Sequence, residues 1–340
     1  MKKKLLFALR IILFFAIGLL LFWLVYKDQP LDEIVAALKE ADYFWIGVSL
    51  VLSLLSHISR AMRWNLLIEP LGYRPRLINS FFAVMVMYIS NMAIPRSGEI
   101  ARCSILKRYE KVPVSQSFGT VVTERIFDMI MLGILLLIVL FTQMKTVLEF
   151  ARNNPDFKNN VEAVFSMQNL VILIVLALSF VALIFLFRSK LAENKLFKKV
   201  KELFMSFASG LLTVWKMEKK WQFIFHSVFI WTMYFLMIYV VFQSFEFTKH
   251  LSIMTGLTVF VMSSLGMVAP SPGGIGTWHF MAIETLILYG VQRYPDANAF
   301  AFAAHGAMTL FILILGLVSI VLLPIVNRKR MLENQDIESS

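Results

Sequence analysis

Two long apolar stretches of this chain are each broken near the middle by proline and glycine, and this interruption limits the fold more than any other feature. The first, about residues 78–106, contains Pro95-Arg96-Ser97-Gly98. The second, about 251–291, contains Pro270-Ser271-Pro272-Gly273-Gly274-Ile275-Gly276. Proline removes a backbone donor and clashes with the preceding turn, so neither stretch can be one continuous helix. A broken helix in lipid is tolerated only where its freed backbone groups face protein or water. Lipid is the expected solvent, because 59% of the 340 residues are hydrophobic and only 16% are charged.

The formal net charge of +11 does not point to nucleic acid. The basic residues fall in short runs between apolar stretches, where they orient helices and meet anionic headgroups, instead of forming one patch. The single cysteine, Cys103, has no partner for an intrachain disulfide and reads as a small packing residue.

Uninterrupted apolar runs cover about 5–26, 44–59 (extending toward Leu67), 118–142, 168–187, 222–245 and 299–326. A helix needs roughly 20 residues to cross the hydrocarbon. The first run follows Lys2, Lys3 and Lys4, carries Arg10, and has no small-residue cleavage pattern, so it reads as a retained signal anchor. Arg60, Arg63, Arg74 and Arg76, the 188–221 stretch and Arg328-Lys329-Arg330 place these segments and both termini on the cytoplasmic side of a bacterial cytoplasmic membrane. The acidic 27–43 stretch and the balanced 143–167 stretch belong outside.

These sides force each broken stretch to return to the face it left. The expectation is an all-α integral membrane protein with about six full spans plus two re-entrant broken-helix hairpins. It forms one polytopic domain, 1–330, with a polar tail at 331–340. Halves at 1–142 and 168–326 then have the symmetry of an inverted repeat, whose paired interrupted segments mark a transporter's binding site. Two thin full spans are the alternative for 251–291. Outside the membrane, 31–42 reads as an amphipathic surface helix and 191–221 as an interfacial helix or partner-binding helix.

Chemistry-bearing residues gather at the breaks. Arg96, Glu99 and Arg102 are three apart, on one face of a helix beginning near Ser97, which is placed to cap it. With Gly98, that half-helix N-terminus and two guanidinium groups can receive a phosphate. A plain Glu99–Arg102 surface pair is the structural alternative. Glu124 and Asp128 lie one turn apart, with Arg125 placed to neutralise Asp128 and Arg96 or Arg102 expected to meet Glu124. An ion cluster that merely pins two helices explains the same spacing. Gly273, Gly274 and Gly276 offer unhindered N–H groups to an anion, or simply make a turn. His279 and Glu284 follow that loop, and His57 and His305 are isolated in sequence. No metal-ligand spacing, nucleophile elbow or cofactor motif is present, so neither catalysis nor a cofactor is expected. Asp28, Asp32 and Glu33 are candidates for glycosyl transfer from a polyprenyl carrier, although amphipathic spacing accounts for them.

At Arg63-Trp64-Asn65, Pro95-Arg96-Ser97-Gly98-Glu99 with Arg102, Glu124-Arg125 with Asp128, and Pro272-Gly273-Gly274-Ile275-Gly276, the sequence resembles the membrane region of the lysylphosphatidylglycerol synthase/flippase family. The resemblance implies re-entrant helices around a lipid-sized cavity and movement of an anionic, aminoacylated or polyprenyl-phosphate lipid. Glu124, Arg125, Asp128, His279 and Glu284 are expected to line a polar path for the headgroup, and the resemblance adds Arg63 to it. His279 stands where a glutamate commonly follows the glycine loop, and His305 where an arginine is frequent. The synthase domain of full-length members is not expected, since the chain stops at Ser340. Membrane lipids are the expected partners, with a second copy of the chain or a lipid-synthesis enzyme as further candidates. A membrane enzyme and a non-transporting scaffold are the competing functions.

Overall fold

The computed structural model of the protein describes residues 31–94, 97–153, 214–268 and 271–328. The chain divides into two compact units, Met1–Val139 with Lys216–Ser340, and Leu140–Trp215. Residues of both expected halves contribute to the first unit. In the second, the described residues are chiefly the end of one long helix.

All regular structure among the described residues is helical. Helix α1 spans Leu31–Lys39, α2 Tyr43–Ile68, α3 Leu77–Ala93, α4 Gly98–Glu110, α5 Val114–Asn153, α6 Lys220–Val241, α7 Ile253–Gly266, α8 Thr277–Leu288 and α9 Asn298–Val326. Asp42 starts α2 by accepting the Phe44 N–H at 3.0 Å, and Ser252 starts α7 by accepting that of Thr255 at 3.1 Å.

Four helices among the described residues are long and apolar enough to cross a membrane: Tyr43–Leu71, Val114–Thr146, Lys220–Ser244 and Arg293–Val326. They correspond to the apolar runs beginning at 44, 118, 222 and 299. The runs at 5–26 and 168–187, the signal anchor, Asp28, the 191–213 part of the interfacial helix and the 331–340 tail lie outside the described residues.

Both interrupted stretches are broken helices. The 17 residues of α3 extend about 25 Å, and the 13, 14 and 12 residues of α4, α7 and α8 about 20, 21 and 18 Å. Each limb is shorter than roughly 30 Å of hydrocarbon. Within each pair the limbs pack side by side, α3 on α4 and α7 on α8. Glycine sets how closely they approach. A Cβ at Gly98 would stand 2.1 Å from the Met87 carbonyl oxygen, and one at Gly266 2.6 Å from that of Thr277. Gly316 of α9 lies against Ile89 and the Met85 carbonyl, so α3 is held closely on two sides. Small residues permit this backbone proximity where van der Waals packing, not water exclusion, drives association.

One expectation needs correction. Arg60 and Arg63 are not loop charges marking the cytoplasmic side, because α2 runs on to Ile68 and buries both. Their burial is possible because carboxylates from α5 meet them, as described below. Arg74 and Arg76 remain in the following connection.

Candidate functional site

Helix α2 presents Ser49, Ser53, Ser56, His57, Ser59, Arg60 and Arg63 as one buried polar face. Spacings of three and four residues keep these groups on one side of the helix. Helix α6 answers along the seam: Ser49 donates to the Met237 carbonyl at 3.0 Å, Ser59 meets His226 Nδ1 at 2.8 Å, and Arg63 Nη1 donates to Ser227 at 3.1 Å. The opposite character appears outside, where Val51, Leu55 and Met62 are exposed. Polar inside and apolar outside is the arrangement lipid requires.

At the end of this seam five helices build an ion cluster. Glu124 of α5 is fully buried; its Oε1 lies 2.6 Å from Arg60 Nη1 and 3.3 Å from Arg63 Nη2, and its Oε2 lies 3.2 Å from Arg102 Nη1 on α4. One turn on, Asp128 meets Arg63 at 2.8 Å, Arg60 at 3.2 Å and Arg125 at 3.5 Å. Tyr234 of α6 accepts from Arg60 Nη2 at 3.1 Å and lies 3.1 Å from the Tyr88 hydroxyl of α3. The Arg102 guanidinium lies 4.5 Å from the centre of the Trp64 ring, whose Nε1 donates to Thr120 at 2.9 Å.

The charges do not cancel. Among the described residues, Arg60, Arg63 and Arg102 are buried against Glu124 and Asp128; adding the partly exposed Arg125 and Glu99 leaves the same surplus of one positive charge. The donors do not cancel either. Arg63 Nε, Arg102 Nε, Arg102 Nη2 and Arg125 Nε are buried with no hydrogen-bond partner among the described residues, whereas the one carboxylate oxygen in that condition is Glu99 Oε2. An unpaired buried donor is costly, and a surplus of guanidinium donors favours an anion.

The sequence-predicted residues divide as follows. Glu124, Arg125, Asp128, Arg63 and Arg102 come together, with Arg102 as the partner expected for Glu124. Arg96 and Pro95 lie outside the described residues. Glu99 does not pair with Arg102; its Oε1 lies 3.9 Å from Arg125 Nε, an ionic contact too long for a hydrogen bond. Ser97 does not cap α4. It adopts helical angles, and its hydroxyl turns back to the carbonyls of Ser90 and Ile94, donating a second hydrogen bond to oxygens that already accept the Ile94 and Ser97 N–H groups. Asn91 supplies the cap instead, its Oδ1 accepting the Gly98 N–H at 2.8 Å.

In the second broken pair, Gly273, Gly274 and Gly276 all take left-handed φ, the conformation glycine is needed for. A Cβ at Gly274 would stand 2.0 Å from Met267 Sδ, so close packing occupies that side, while the space about Gly276 is open. His279 and His305 are not isolated: their ring centres lie 4.7 Å apart. His305 Nε2 lies 3.1 Å from the Gly273 carbonyl, which can only accept, so Nε2 carries the hydrogen; Nδ1 lies 3.3 Å from the Thr309 hydroxyl. His57 is likewise engaged, with Ser53 and with the Tyr88 ring. Glu284 pairs with Arg293 at 2.6 Å, both side chains partly exposed. Gly273 lies against Met92, four residues after Tyr88 on α3 and so about 6 Å farther along its axis. Helix α3 thus touches both constellations.

Sequence reasoning missed Arg60, Tyr88 and Tyr234. For Arg60 the one local signal is the helical spacing it shares with Ser53, Ser56, His57 and Arg63, which does not by itself separate a buried charge from a loop charge. The two tyrosines carried no local signal, since they come from different helices.

These spanning helices, broken pairs and buried charges define a multi-pass, all-α membrane protein. The chain belongs to the family described as the lysylphosphatidylglycerol synthase TM region, which it matches over residues 9–316. Similar proteins include UPF0104 membrane protein MJ1078 of Methanocaldococcus jannaschii, 28% identical over 214 residues, covering 63% of this chain and 84% of that one. UPF0104 membrane protein MJ1595 of the same organism is 30% identical over 101 residues, 29% of this chain and 30% of that protein. Glycosyltransferase AglD of Haloferax volcanii is 25% identical over 100 residues, 29% of this chain and 16% of that protein. The chain therefore spans less than a third of the length of the latter two. No solved structure matches.

Proposed function

We propose that the protein is a lipid translocase of the cytoplasmic membrane, with both termini cytoplasmic, moving a phosphate-bearing lipid headgroup past the ion cluster while the acyl tails stay in the bilayer. The observation that carries this reading is the cluster's surplus of positive charge together with its unpartnered guanidinium donors, buried between apolar helices. A charged headgroup at the bilayer centre costs several kcal/mol, and a polar path offsets that cost. Membership in a membrane family named for a phospholipid synthase supports a lipid substrate. Anionic, aminoacylated and polyprenyl-phosphate lipids all present the phosphate that the arginines require. A second copy of the chain or a lipid-synthesis enzyme is the partner such a role calls for.

Purified protein in vesicles carrying a tail-labelled lipid tests the proposal. Labelled lipid should cross between leaflets faster than in protein-free vesicles, and equal rates contradict the reading.

The name of the Haloferax relative favours a second reading, an enzyme acting on a polyprenyl-phosphate. Asp32 and Glu33 are exposed in the first turn of α1 and are the described acidic residues proposed for it. It requires Asp32→Asn to abolish product formation; an unchanged lipid-linked product profile removes it.

A further inference from the structure

The unpartnered atoms of the ion cluster are of two kinds. Arg63, Arg102 and Arg125 contribute four guanidinium N–H positions, and Glu99 contributes one carboxylate oxygen. A lone phosphate, which only accepts, answers the first set and leaves the second unanswered. The ligand that completes both has an acceptor and a donor in one headgroup.

Placement supports a single ligand. Glu99 and Arg102 lie three apart on α4, neighbours on the helix surface with Cβ atoms roughly 5–6 Å apart. They are joined through a continuous ionic path: Arg102 meets Glu124 at 3.2 Å, Glu124 lies 3.7 Å from Arg125, and Arg125 lies 3.9 Å from Glu99. Glu99 is at the more open end, with its side chain 22% exposed against 0% for Arg102. Glu124 and Asp128 have both oxygens engaged by arginine, so they are not available to a new donor. A short headgroup that places its phosphate on Arg102 brings its far end to Glu99.

Resting on the translocase reading, we propose that α4 recognises the headgroup at two points: Arg102 takes the phosphate and Glu99 takes an N–H or O–H donor on the same headgroup. Glu99 is then the residue that sets headgroup specificity. The substrate class is a phosphodiester lipid with a terminal donor, either an ammonium or a hydroxyl. A headgroup of equal charge with no donor is discriminated against, because it buries Glu99 without a partner.

Two matched pairs of tail-labelled lipids separate these sources in vesicles containing the full chain. Phosphatidylethanolamine and phosphatidylcholine have equal charge, but only the first has N–H donors. Phosphatidylglycerol and phosphatidylmethanol are both singly anionic, but only the first has hydroxyls. Wild-type protein should move the donor-bearing member of at least one pair about tenfold faster. Glu99→Ala should bring that ratio to within about twofold, and Glu99→Gln, which keeps an acceptor, should restore most of a hydroxyl preference. Equal rates within both pairs for the wild type overturn the inference while leaving translocation intact, as does a ratio that Glu99→Ala leaves unchanged. If Glu99→Ala does not fold, Glu99→Leu, which keeps the volume and removes the acceptor, takes its place under the same criteria. Movement of none of the four lipids overturns the translocase reading for glycerophospholipids, and this inference with it.

Discussion

Arg60 Nη1 donates to Glu124 Oε1 at 2.6 Å, joining α2 to α5 across 64 residues of sequence with both side chains out of contact with solvent. Glu124 also neutralises Arg63 and Arg102, so one carboxylate holds three helix-borne cations from α2 and α4. Removing it leaves Arg60 and Arg63 with Asp128 and takes from Arg102 the carboxylate it is paired with. Glu124→Ala is expected to lower the unfolding free energy by about 3–5 kcal/mol, the range for breaking a buried pair from one side. Denaturant titration of the purified protein measures it. Arg60→Met together with Glu124→Met should lose less than the sum of the single changes, because the two residues are in direct contact.

The approach of α4 to α3 makes Gly98 sensitive to a single methyl. In Gly98→Ala the new Cβ would stand 2.1 Å from a backbone oxygen, which cannot rotate away as a side chain would. A loss of about 1–3 kcal/mol is expected from overpacking. Thermal unfolding in detergent checks this, with Gly47→Ala as the control, because nothing lies within 4 Å of a Cβ there. A Gly98 variant as stable as the Gly47 variant contradicts the observed closeness of the two helices.

The glycine loop separates backbone strain from packing. Gly274 and Gly276 both have left-handed φ, 77° and 86°, so alanine is strained at either position. Only at Gly274 does the methyl also meet Met267 Sδ. Gly274→Ala should therefore destabilise more than Gly276→Ala. Met267→Ala should recover part of the excess when combined with Gly274→Ala and none when combined with Gly276→Ala. Thermal unfolding of the four variants checks both statements.

Much of this was legible before the structure, for identifiable reasons. The four described spans follow from run length. The breaks follow from Pro95 and from the Pro272-Gly273-Gly274 turn, since neither residue type continues a helix. The Glu124–Asp128 pair follows from one-turn spacing, a local property. What was not legible depended on distant contacts. Arg60 carried the same sign and position as a cytoplasmic loop charge, and only the carboxylates brought in by α5 allow α2 to bury it. Ser97 had the composition of a cap but not the backbone angles, and Asn91, seven residues before Gly98, accepts the N–H that a cap would take. The nearness of His279 to His305 depends on how α8 packs against α9, which neither helix encodes alone.

In the proposed translocase, the buried Arg102 guanidinium binds the lipid phosphate as the headgroup passes the ion cluster. Arg102→Ala leaves Glu124 paired to Arg60 and Arg63, so the fold should survive. The decisive measurement is the rate at which a tail-labelled phospholipid changes leaflet in vesicles containing wild-type, Arg102→Ala or Arg108→Ala protein, the last altering an exposed arginine on the same helix. The rate should be at least about tenfold lower for Arg102→Ala and unchanged for Arg108→Ala. Equal rates for folded Arg102→Ala and wild type would contradict this role of Arg102.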